Sequence, residues 1–218
     1  MNSFSARLSL FSLAIAVQAC GITLVVKSAL GTSPISTLPY VLSLVVPLTF
    51  GQATFAINMV FIFLQALMLK GRVPLRIWAQ IPVTVVFSFF LDMFMQLFSR
   101  LAPQSYPAHL AVLASGMLLL AFGVALQGKA RFIKLAGDGI VYVASQVFSK
   151  PFGLLKTILD CSLVASSCIL SLAALGTIEG VREGTLLSAL LTGVLVQFFL
   201  KVLRYVPEES GENEGREA

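Results

Sequence analysis

Charge is scarce in this chain: only 11% of its 218 residues are Asp, Glu, Lys or Arg, against 57% hydrophobic, and mean hydropathy is +0.92. So little polar material cannot surface a water-soluble domain, which places the chain among integral membrane proteins. Histidine occurs once, at His109, and cysteine three times, at Cys20, Cys161 and Cys168. An odd number of thiols without metal-ligand spacing argues against a disulfide framework and a metal centre, and leaves the cysteines as small core hydrophobes. His109 follows Pro107 at a helix start, as an interfacial residue. The chain also lacks a His-Glu-x-x-His helix, a Ser/His constellation and the Gly-x-x-x-x-Gly-Lys-Ser/Thr loop. Those absences argue against an intramembrane hydrolase and against built-in ATP use, and no cofactor is implied.

What is present is a series of long apolar runs. Residues 8–26, 51–69 and 110–128 carry no charge, 77–99 carry only Asp92, 153–175 carry Lys156 and Asp160, and 184–205 carry Lys201 and Arg204. Each approaches or exceeds the roughly 20 residues a helix needs to cross a bilayer. Helices satisfy their own backbone in lipid, so the runs predict an all-α, polytopic transmembrane bundle of about six spans. The first run lacks a small-x-small cleavage site and reads as a retained helix. Residues 1–205 thus form one membrane domain, and 206–218, with five Glu and one Arg, form an acidic, disordered tail.

With six spans, ten basic residues fall on one side: Arg7, Lys70, Arg72, Arg76, Lys129, Arg131, Lys134, Lys150, Lys201 and Arg204. Only three, Lys27, Arg100 and Arg182, fall on the other. Positive loops stay cytoplasmic, so both termini are expected inside. The net charge of +5 sits in short loops beside membrane helices and indicates no nucleic-acid partner.

Sliding the chain by 102 residues without a gap pairs Ala19 with Ala121, Gly21 with Gly123, Leu24 with Leu126 and Lys27 with Lys129. Tyr40, Val41, Ser43, Phe50 and Gly51 likewise meet Tyr142, Val143, Ser145, Phe152 and Gly153. The pattern predicts a duplication, with repeats at about 8–99 and 110–205. Each repeat holds three full spans and one shorter stretch. Three crossings invert the second repeat relative to the first; the alternative, with both short stretches crossing, gives eight spans and moves Lys70, Arg72 and Arg76 outside.

The short stretches are "LGTSPISTLPYVLSLVVP" and "AGDGIVYVASQVF". In the first, Ser33 suits an N-cap and Pro34 the first helical position, while Pro39 and Pro47 limit its regular length. In the second, a helix is expected after Gly137, capped by Asp138 and running to about Ser149. Both are short enough for re-entrant or interfacial helices. A helix N-terminus held at membrane depth presents free N–H groups, and broken helices in inverted repeats build transporter sites this way. A cap that serves only its own helix is the plainer alternative for Asp138.

Polar residues within spans add candidates. Asp160 aligns with Asn58, and Lys156, one turn before it, aligns with Thr54. The pair neutralises itself on one helix face, or else Asp160 faces the interior as a proton or cation relay. Asp92, alone in its span, corresponds to Gln197 and carries the same two readings. Gln18, Gln65, Gln80 and Gln146 read as interhelical hydrogen bonds.

"GITLVVKSALGTSPISTLPYVLS", "LAGDGIVYVASQVFSKPFGLLKTILDCSLV" and "REGTLLSALLTGVLVQFF" resemble signature segments of the YczE/YyaS/YitT family of bacterial integral membrane proteins, nearest its YczE-like branch. Gly31, Ser33 and Pro34 match the first turn, Gly137 and Asp138 the second, Asp160 the span carboxylate, and Gly184, Thr185 and Gly193 the final motif. Ser36 departs from the pattern, in which Asp often stands. The resemblance implies a bacterial cytoplasmic membrane location and no particular substrate.

The expected function is secondary transport or export of a small solute. Ser33, Pro34, Ser36, Asn58, Gly137, Asp138, Gly139 and Thr185 would line the substrate site, with Asp160, Asp92, Lys156 and Gln197 as coupling or polar-relay groups. A membrane scaffold or regulator using the tail is the alternative. The bilayer is the certain surrounding; a small-molecule or ion substrate and a homodimer are possible partners, although a clean Gly-x-x-x-Gly face is missing.

Overall fold

A computed structural model describes residues 4–71 and 73–203, so Arg72, Arg204 and the acidic tail lie outside the described residues. The described chain is helical, without strands: α1 (Phe4–Lys27), α2 (Pro34–Val45), α3 (Phe50–Met68), α4 (Leu75–Trp78), α5 (Gln80–Leu97), α6 (Tyr106–Ala130), α7 (Ala136–Phe148), α8 (Phe152–Leu175) and α9 (Glu183–Val202). Six segments are long and apolar enough to span a membrane: α1, α3, α4 with α5, α6, α8 and α9. The α4–α5 span is interrupted at Ala79. Pro82 has no N–H to offer the Trp78 carbonyl one turn earlier, which loosens the helix there.

The duplication is visible in the helix starts. Phe4, Pro34 and Phe50 open α1, α2 and α3, and the residues 102 positions later, Tyr106, Ala136 and Phe152, open α6, α7 and α8. Ala29 and Arg131, also 102 apart, both take left-handed backbone (φ 57° and 46°) where the chain leaves α1 and α6. Contacts follow the same equivalence: across the halves α2 packs on α8 as α7 does on α3, and within them α1 packs on α5 as α6 does on α9.

At the centre α1 and α6 run antiparallel with backbones in contact. A Cβ on Gly21 would lie 2.8 Å from the Gly116 carbonyl oxygen, and one on Gly123 would lie 2.8 Å from the Gln18 backbone nitrogen. The Gly21–Leu120 contact turns into Gly123–Gln18 when 102 is added to one partner and subtracted from the other, the mark of a pseudo-twofold axis. Gln18 Nε2 donates across this seam to Gln127 Oε1 (2.8 Å) and the Gly123 carbonyl (3.3 Å). Buried polar groups are thereby paired where lipid offers no partner. Phe11, Ile15, Ala19 and Ile22 of α1 continue the core onto Phe87 and Leu91 of α5.

Three expectations need correction. Pro39 lies inside α2 without ending it; the helix stops at Val45 because Val46, ahead of Pro47, is extended (φ −114°, ψ 153°). Asp138 is not an N-cap: Leu135 caps α7, and Asp138 occupies the third helical position, since the helix starts at Ala136, before the glycine. The cysteines are not buried core residues, because Cys161 is exposed and Cys20 and Cys168 are half-buried.

Substitution tests the central seam. Gly116→Ala places a methyl 2.7 Å from the Val25 nitrogen and is expected to lower the thermal transition in detergent by roughly 4–10 °C. Ala29→Gly, which relieves the left-handed strain at an exposed site, is expected to hold or raise it.

Candidate functional site

The two short helices meet tip to tip. Ile35 and Gly137, equivalent positions in the first turns of α2 and α7, touch each other, and a Cβ on Gly137 would also approach the Phe61 ring at 4.0 Å. Phe61 is the twelfth of nineteen residues in α3, roughly 16 Å along that helix. Gln65, one turn further along α3, donates to the Ala136 carbonyl, so the tips meet inside the bundle beside the second half of α3, and the short helices enter the bundle without spanning it. In α2, Ser33 holds the N-cap position, but its hydroxyl donates to Ser36 Oγ (2.8 Å) instead of capping. Pro34 opens the helix, and its carbonyl accepts from Thr37 Oγ1 (2.7 Å).

Around α7 the polar groups are charged. Lys156 Nζ lies 3.0 Å from Asp160 Oδ1 on its own helix and 3.9 Å from Asp138 Oδ1 across the α7–α8 contact. One amine thus stands between two carboxyl groups. The equivalent positions beside α2 are Ser36, Thr54 and Asn58, all neutral and buried. Lys156 and Asp160, 28% and 24% exposed, share a helix face with buried Leu163, Ser167 and Ser171. Exposure falls along this face from the start of α8 toward its end, where Ser171 Oγ donates to the Thr177 carbonyl (2.7 Å).

Gly139 has a structural task. A Cβ there would lie 2.8 Å from both Gln65 Oε1 and Gln80 Nε2. Those two glutamines exchange hydrogen bonds between α3 and α5 (3.0 and 3.1 Å), and Gln65 also donates to the Ala136 carbonyl (3.4 Å). Their pairing was legible as an interhelical bond; their place beneath the α7 tip was not. Gln146 is exposed and helps line a cavity of about 390 Å³ with Tyr142, Lys150 and Phe152, at the far end of α7.

Other candidates lie elsewhere. Thr185 Oγ1 accepts from Thr32 N–H (3.2 Å) and donates to the Gly180 carbonyl (3.3 Å), tying the chain before α2 to the start of α9. Asp92 sits at the start of α3, where it accepts from Thr49 Oγ1 (2.6 Å) and the Gly51 N–H (2.7 Å). A carboxylate there offsets the positive end of the helix dipole. Gln197, its counterpart, is exposed on α9. The structure brings Asp138, Lys156 and Asp160 together and leaves Asp92 and Gln197 outside that group. His109 Nδ1 contacts the Ser28 carbonyl (2.6 Å) at the α1–α6 margin.

These features define a multi-pass helical membrane protein built on an inverted repeat with two short helices. The chain belongs to DUF6198, a family of unknown function whose model matches residues 5–201. No curated protein and no solved structure matches it.

The ion pair can be weighed by a double-mutant cycle. Lys156→Thr alone leaves two carboxylates unpartnered, whereas Lys156→Thr with Asp160→Asn installs the residues of the other half. The double variant is expected to melt above the single one in detergent, with a coupling of about 0.5–2 kcal/mol.

Proposed function

We propose that this chain is a secondary transporter or exporter of a small solute, residing in a bacterial cytoplasmic membrane with both termini cytoplasmic. The supporting observation is the meeting of two short helix tips inside the bundle on the pseudo-twofold axis, with a charged triad beside one tip and neutral hydroxyl and amide groups beside the other. Helix N-termini turned inward supply N–H donors for a polar or anionic group, and the two halves supply surfaces that can rock about the site. Asp138, Lys156 and Asp160 act as the coupling set, since intramembrane charges are costly unless they serve a pathway or a partner. Ser33, Ser36 and Asn58 form the neutral side of the solute site. Asp92 leaves the coupling set and takes the structural task of holding α3. The resemblance to the YczE/YyaS/YitT family and the charge asymmetry of the loops support the location. Energy comes from a gradient, and the chain itself carries out no catalysis.

Metabolite profiling of cells and medium tests this. Wild type, Asp138→Asn and Asp160→Asn, at equal membrane levels in a deletion background, are expected to differ, with a solute redistributed at least several-fold by wild type only. Absence of redistribution, together with loss of phenotype on deleting residues 206–218, would support a scaffold instead.

A further inference from the structure

The frame is symmetric, yet one pair of helices is closed and its counterpart is open. In the first half α3 packs along α5, whereas α8 and α9, their equivalents, scarcely touch. Within the apolar cores of α3 and the Leu75–Leu97 span, 44% and 33% of residues are buried, against 17% and 11% for α8 and α9. Gly51 is the point of closest approach: a Cβ there would lie 2.6 Å from the Asp92 carboxyl. Gly153, its counterpart, has nothing within 4 Å, and neither has Gly193, which corresponds to Ser88. This correspondence follows from the helix ends, because α5 stops at Leu97 and α9 at Val202, as far apart as Ser88 and Gly193 or Asp92 and Gln197.

The latch residues explain which pair is closed. Thr49, Gly51 and Asp92 join the start of α3 to α5 through two hydrogen bonds. Their counterparts are Pro151, Gly153 and Gln197, which lack both the hydroxyl and the carboxylate. The glycine that permits close approach is kept on α8, while the groups that would fasten it are missing. Lys156 and Asp160 are partly exposed on this unlatched side, and their equivalents Thr54 and Asn58 are buried on the latched one.

We infer that Asp92 is the latch of a gate, and that the chain exchanges closure of α3 on α5 for closure of α8 on α9 through Gly153, Gly193 and Gln197. In the exchanged state α9 covers the stripe carrying Lys156 and Asp160, and Thr54 and Asn58 become accessible from the opposite side. This rests on the transport reading for its purpose, but its geometry is testable alone.

The test uses the full chain in membranes with Cys20, Cys161 and Cys168 replaced by Ala, then Pro151→Cys and Gly193→Cys together, treated with a short bis-maleimide; Gly153 is kept, and the counterparts of the two cysteine positions, Thr49 and Ser88, carry side chains in the closed pair. Closure brings the two positions within reach of the reagent. A small cross-linked fraction is expected, rising at least threefold with Asp92→Asn, with Gly51→Ala, and with Gln197→Asp, which installs the carboxylate on the unlatched side. Gln197→Asp leaves the α3–α5 contact untouched and so decides the matter even if the other two fail to insert. Absence of a cross-link in every background, or a fraction indifferent to all three changes, overturns the gate. A cross-link between chains with either single cysteine also overturns it and assigns the face to a second copy. Cross-link yield does not depend on any solute: a threefold rise without redistribution keeps the gate and removes transport, and the reverse result keeps transport and removes the gate.

Discussion

Backbone contact between α1 and α6 is the constraint on which the rest of this molecule depends. Within lipid, apolar side chains gain little by meeting one another, so helices associate where small residues allow the backbones close and polar groups bond across. Gly21, Gly116 and Gly123 supply the first and Gln18 with Gln127 the second. Because the two helices are antiparallel and equivalent, their seam lies on a pseudo-twofold axis. Every later element is placed twice about it, once in each orientation.

The same axis explains why the short helices meet. Each half sends a short helix into the bundle, and a self-equivalent pair of first-turn residues, Ile35 and Gly137, ends up on the axis. A short helix starting within the bundle is tolerable only where protein surrounds it, since lipid cannot receive its free N–H groups. Thr185 bonded to Thr32 anchors the approach to α2, and Gln65 bonded to Ala136 anchors α7. Polar bonding and architecture are thus inseparable at these tips.

Symmetry of backbone and asymmetry of side chains divide the work. The repeat provides two copies of one frame, and substitution at a few matched positions makes them unequal: Ser36, Thr54 and Asn58 against Asp138, Lys156 and Asp160, and Thr49 and Asp92 against Pro151 and Gln197. One half carries the charge, the other the fastening. A transporter that rocks between two related states gains direction and energy coupling from such inequality.

Much of this was legible in the sequence because bilayer thickness acts on the chain directly. Length and apolarity alone set the six spans within about four residues, and capping residues placed the start of α2 at Pro34, while the start of α7 came out two residues late. The Lys156–Asp160 pair was also readable, since four residues on a helix place side chains on one face. Tertiary structure decided what depends on neighbours distant in the chain. Asp92 looked like an isolated intramembrane acid until folding set it on the first turn of α3, and the glycines at 21, 116 and 123 showed no motif because they serve a contact between two different helices. Spacing along one helix is fixed by its own geometry, whereas the partner of each face, and so the task of each polar residue, is fixed only when the two halves close about their axis.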